Sequence, residues 1–195
     1  MAKQVEFFFD YVSPASYLAY TQLPKIAART NSEIIYKPFL LGGVFKATGN
    51  SAPMTVPAKG AWLVRDLELC ARKWGVPLTF NQNFPFNTIQ VMRGAVWAQK
   101  EGNLAAYSEL MFGAVWVDNQ NIADPETLAE LLKTIDIEPT RFMDGIADQT
   151  VKDRLRELTD EAVSRGAFGA PTMFVGKEMF WGQDRLEFVE AALAD

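Results

Sequence analysis

The chain has 195 residues, 49% of them hydrophobic, enough to bury a full core as one compact unit or as a small domain carrying a sizeable insertion. A net charge of -5, with 19 Lys and Arg residues scattered along the sequence, leaves no footprint for a phosphate backbone, so nucleic acid is not an expected partner. Histidine is absent, which removes Ser-His-Asp and Cys-His catalysis and every His-ligated metal site, and the single Cys70 excludes an intramolecular disulfide.

Met1 to Glu6 run straight into an apolar strand pattern, with no long apolar region followed by a small-residue cleavage site, and no stretch reaches membrane-spanning length. A soluble cytoplasmic protein is the expectation. Val5 to Phe9 is a short aromatic and β-branched run, followed by Asp10-Tyr11-Val12-Ser13-Pro14 and then by Tyr17, Leu18, Leu23 and Ile26 at helical spacing. Ser13 suits an N-cap and Pro14 the first helical position, so strand, sharp turn and helix follow one another. Glu33 to Lys37 reads as a second strand, stopped by Pro38, which completes a βαβ unit.

From Leu40 to Lys59 the sequence is rich in Gly, Asn, Ser and Pro and predicts a long irregular loop, a feature that in a compact domain is usually functional. Helical patterns come next, at about 58–74, 87–100, 103–116, 124–134 and 139–165, with Asp124-Pro125 as a start signal and Gly75, Gly102 and Gly166 as stops. Within the first of them Cys70 shares a face with Leu63 and Leu67 and reads as a buried small hydrophobe. Thr172 to Val175 and Glu178 to Trp181 are short strands joined by Gly176-Lys177, a hairpin signal, and Gly182-Gln183-Asp184 opens a last helix.

The order is βαβ, helices, ββα. It predicts an α/β thioredoxin-like fold with an inserted all-helical domain, residues 1–57 and 166–195 forming the first part and 58–165 the insertion. In such a fold the active residue stands at the N-terminus of the first helix, where redox members carry Cys-x-x-Cys. Here Ser13-Pro14-Ala15-Ser16 takes that place, and two hydroxyls cannot exchange a disulfide. Unpaired N–H groups and the positive end of the helix still favour an anion there. Ser13 read alone is better explained as a plain cap. Ala170-Pro171, just before the second pair of strands, stands where these folds present a cis-proline to the active helix; read alone, it is an ordinary turn.

With those blocks in view, the chain resembles the kappa-class glutathione transferases and the 2-hydroxychromene-2-carboxylate isomerases, both DsbA-like. Five separated segments carry the likeness: Phe8 to Ala19, Leu41 to Asn50, Pro57 to Gly60, Gly166 to Thr172 and Phe180 to Leu186. The resemblance implies glutathione as cofactor. Ser13 would then donate a hydrogen bond to its sulfur, and Ala170 beside Pro171 would pair with its main chain. Asn50 and Lys59 would belong to the covering segment, with Lys59 on the glycine carboxylate, and Gln183 and Asp184 would hold the γ-glutamyl end. Without the resemblance, Lys59 reads as a solvated surface lysine and Asp184 as a capping acid. The implied reaction is reversible addition of the thiolate to a conjugated substrate, isomerising 2-hydroxychromene-2-carboxylate to trans-o-hydroxybenzylidenepyruvate in aromatic hydrocarbon breakdown. The alternative it implies is a transferase or peroxidase that consumes glutathione. A non-catalytic glutathione-binding protein is the third reading. Arg65 and Asn87 are candidates to orient the substrate, with Trp62, Phe84, Phe86, Met92 and Trp97 as apolar candidates, most of which read better as core. A homodimer is also implied.

Overall fold

A computed structural model describes residues 3–194. Strand β1 (Gln4–Phe9) passes through a tight turn into helix α1 (Pro14–Thr30) and returns as β2 (Glu33–Pro38), and β3 (Thr172–Val175) and β4 (Glu178–Trp181) come from the far end of the chain. They form one sheet in the order β2-β1-β3-β4, with β1 parallel to β2 and antiparallel to β3. The predicted hairpin is present: Val175 pairs with Glu178 across Gly176-Lys177, and Gly176 takes the left-handed φ of 59° that the turn needs.

The period of β1 explains what lies on each side of the sheet. Val5, Phe7 and Phe9 join the large core, while Phe8 points the other way into a smaller cluster with Phe39 and Phe174. The first face is covered by α1 and by α9 (Leu186–Ala194), which supplies Leu186, Val189 and Leu193. The second is covered by α8 (Gln149–Ser164) through Ala162 and by α2 (Leu41–Thr48) through Val44. Although α8 falls inside 58–165, it lies against the sheet. The remaining helices are α3 (Pro57–Trp74), α4 (Ile89–Lys100), α5 (Leu104–Trp116), α6 (Pro125–Lys133) and α7 (Pro139–Ala147). Their buried faces continue the large core without a break. Among the described residues no helix is long and apolar enough to cross a membrane.

The punctuation behaves as read. Ser13 and Asp124 cap α1 and α6 through their side-chain oxygens, and Gly75, Gly102 and Gly166 follow α3, α4 and α8 with φ of 65°, 76° and 98°.

Two expectations are corrected. The segment expected to be an irregular loop from Leu40 to Lys59 contains α2 and a short 3₁₀ turn (Pro53–Thr55), and α3 already begins at Pro57. Two adjacent glycines each weaken a helix by about 1 kcal/mol, but Val44 is fully buried, and at Gly43 a Cβ would stand 3.1 Å from Thr159 Cγ2 of α8. Close packing decides against propensity. The single helix expected over 139–165 is two, because Asp148 leaves helical backbone (φ -58°, ψ 132°) and its carboxylate accepts from Thr150 N–H at 2.9 Å, capping α8.

Candidate active site

The turn between β1 and α1 is fixed from several sides. Trp116 donates its indole N–H to the Tyr11 carbonyl at 2.8 Å, and Tyr11 shares a 2.9 Å hydrogen bond with Ser108 inside α5. The Ser13 N–H bonds to the Asp10 carbonyl at 3.0 Å. Ser13, at 5% exposure, accepts from Ser16 N–H at 3.1 Å and donates its hydroxyl to the Ala170 carbonyl at 3.1 Å. The two motifs read separately in the sequence therefore meet in one hydrogen bond across the site. The Ala170–Pro171 peptide is cis, as expected.

Above this contact lies a cavity of about 1050 Å³. That volume is at the upper end of the range of about 300–1,000 Å³ usual for small-molecule sites, room for a tripeptide and a second organic molecule together. The predicted Ser13, Asn50, Lys59, Asn87, Ala170, Gln183 and Asp184 all line it. Of the apolar candidates, Trp62, Phe84 and Phe86 face the cavity, whereas Met92 and Trp97 are buried in the core. Arg65 is not brought to the wall: it is exposed on α3, where its neighbour Asp66 lines the cavity instead. Pro171 sits behind Ala170, and its carbonyl accepts from Gly182 N–H at 3.1 Å.

Polar partners tie the rim together. Asn50, just past the end of α2, donates its amide to the Phe168 carbonyl at 2.8 Å and accepts from Ser51 N–H at 2.8 Å. Gln183, nearly buried, donates to Asp66 at 3.0 Å and approaches Cys70 Sγ at 3.9 Å. Burial, and then the charge of Asp184, pushes the Asp66 carboxyl up from its ordinary range, while the Gln183 amide opposes the shift. Burial also pushes the half-buried Cys70 thiol up, so the protein's one thiol is held in its protonated form and lies outside the cavity lining. Trp181 stacks obliquely on Phe168 at 4.9 Å, and a side chain on Gly169 would collide with its indole nitrogen. Glycine at 169 is what lets that aromatic wall close.

The sequence reading missed Asp10. Its carboxylate is fully buried, lines the cavity and accepts from Val12 N–H (3.1 Å), Leu41 N–H (2.9 Å) and the Thr88 hydroxyl (3.1 Å). Burial pushes its pKa up to about 6 against the pull of those three donors. The available signal was an acid directly after the apolar run Phe7-Phe8-Phe9, three residues before the cap.

A family model described as a DSBA-like thioredoxin domain matches residues 4–194. A protein named 2-hydroxychromene-2-carboxylate isomerase from Pseudomonas putida is 36% identical to this chain, over 97% of this chain and 93% of its own length. Glutathione S-transferase kappa 1 from Rattus norvegicus is 28% identical, over 98% and 91%. A solved structure of a 2-hydroxychromene-2-carboxylate isomerase superposes with a TM-score of 0.87 at 32% identity, covering 97% of this chain and 94% of that one.

Proposed function

This chain belongs to the DSBA-like thioredoxin domain family, and on that premise we propose that it is a glutathione-dependent isomerase of 2-hydroxychromene-2-carboxylate, acting in aromatic-ring breakdown as a cytoplasmic homodimer. The observation that carries the reading is the buried Ser13 hydroxyl at a helix N-terminus, hydrogen-bonded to the Ala170 carbonyl at the floor of a cavity large enough for two molecules. Similarity to proteins of that name along nearly the whole chain supports it.

The residues present fit the cofactor. Ala170 offers a main-chain carbonyl next to Pro171, Lys59 is an ammonium suited to a carboxylate, Asp184 is half-exposed and acidic, and Gln183 and Asn50 carry amides at the rim. When bound, glutathione supplies a thiolate that adds reversibly to a conjugated double bond and lets it rotate. Ser13 holds the sulfur by turning its hydroxyl away from Ala170. In the first turn of α1, Pro14 has no N–H, Ser16 N–H is capped by Ser13 and Tyr17 N–H goes to the Ser13 carbonyl, which leaves Ala15 N–H for the ligand. The helix terminus contributes about 0.3–2 kcal/mol toward an anion and the hydroxyl about 1.5–3 kcal/mol, together enough to keep a thiol ionised near neutral pH. Phe84, Phe86, Phe45 and Met54 exclude water from the flat substrate, and Asn87 orients its polar edge.

Dialysed protein should isomerise the chromene only after glutathione is restored, and Ser13→Ala should lower turnover about 100-fold with the fold retained. Turnover without glutathione, or an unaltered Ser13→Ala rate, refutes the reading. Similarity to a kappa-class transferase favours a second reading, in which glutathione is consumed on an electrophile or peroxide. Loss of free thiol in step with product formation identifies it.

A further inference from the structure

We propose that Asp10 is the positioning residue of this site, its carboxylate setting the Ser13 turn against the two cavity walls formed by α2 and the start of α4. Among the described residues Asp10 is the one fully buried side chain that carries a formal charge. Taking a carboxylate out of water costs several kcal/mol unless donors replace the lost hydration. Here each donor comes from a different part of the cavity wall. Val12 N–H lies in the turn that carries Ser13, Leu41 N–H opens α2, and Thr88 precedes the first residue of α4. The main chain of Asp10 contributes as well, since its carbonyl accepts from Ser13 N–H at 3.0 Å. One side chain thus joins residues 10, 41 and 88 at the ends of three helices, whose positive poles favour an anion there.

The geometry also says what protonation does. An Asp10 hydroxyl cannot be donated to Val12 or Leu41, which are themselves donors, so its proton goes to Thr88 Oγ1 and reverses that bond. The Thr88 hydroxyl is then released from Asp10. The raised pKa places this change near pH 6; burial raises it, and the three hydrogen bonds oppose the shift. Other charged or titratable groups on the surrounding elements include Tyr11 beside it, Glu6 on β1, Lys46 on α2, Arg93 and Lys100 on α4, and Lys59, Asp66 and Asp184 across the cavity.

This inference rests on the proposed function for its kinetic consequence and not for its structural one. In the ligand-free protein, amide hydrogen exchange of Val12 and Leu41 should speed up about 10-fold or more in Asp10→Asn, because an amide in place of the carboxylate presents a donor to at least one of them. Thr88→Val, which removes a donor and little volume, should retain the fold and raise the Asp10 titration seen by carboxyl NMR by about half a unit. With glutathione and substrate, Asp10→Asn should lower kcat/KM about 10-fold or more, and Thr88→Val should move the acid limb of the kcat/KM profile upward by the same half unit. Unchanged exchange in Asp10→Asn together with an unmoved titration in Thr88→Val overturns the proposal. If calorimetry finds no glutathione uptake by the wild-type protein, the functional reading fails while the exchange and titration measurements still decide the role of Asp10.

Discussion

At the scale of single residues the site is built from groups with two roles each. Ser13 caps a helix and faces a carbonyl that a ligand main chain would use, so Ser13→Ala should also lower stability by about 1 kcal/mol, read from urea unfolding, beside its effect on turnover. Asp10 has a folded pKa raised above its unfolded value, so between about pH 4 and 6 the native state holds the extra proton. Its contribution to stability is greatest below that window and is lost as pH rises through it. The wild type should therefore lose up to about 3 kcal/mol relative to Asp10→Asn between pH 4 and 6.5; a stability difference that stays flat with pH contradicts the shift. The residues proposed to hold glutathione could be named from the sequence because each stands in a short block with recognisable neighbours. Asp10 could not, because nothing in its local pattern says that residues 41 and 88 will bring it their donors.

At the scale of elements, helix ends were readable and one helix was not. Gly75, Gly102, Gly166 and Asp124-Pro125 act through local backbone geometry, which a sequence carries directly. Helix α2 depends on Thr159 and Ala162, more than a hundred residues away, meeting Gly43 and Val44, and no local window contains that information. The break at Asp148 was missed for a different reason: the apolar spacing continues through it, and only the cap separates α7 from α8. Glycines inside helices also differ by what surrounds them. A Cβ at Gly94 in α4 would collide with the Tyr107 hydroxyl and the Phe142 ring, so Gly94→Ala should destabilise by about 1–3 kcal/mol in urea unfolding. In α5, Gly113 faces open space, and Gly113→Ala should stabilise by up to about 1 kcal/mol.

At the scale of the whole molecule, the four strands and the hairpin followed from the βαβ and ββα patterns, but the joining of α8 to the sheet did not, since its residues look like those of any amphipathic helix. The large core runs from the sheet through α1 and α9 into α4, α5 and α8 without a boundary. Cutting the chain after Gly166 would bare Phe7 and Phe9 beneath the missing α9 and leave the inner edge of β1 without its partner. Such a fragment should show no cooperative thermal transition by circular dichroism; a sharp one would mean that the helices stand on their own.

The pairing of β1 with β3 has a meaning for how the protein is made. As the chain leaves the ribosome, one flank of its first strand waits through the synthesis of α3 to α8 before Thr172 to Val175 emerge to cover it. The same late segment brings Ala170 to Ser13, so the contact at the floor of the cavity cannot form in the newborn polypeptide until residue 170 has been translated.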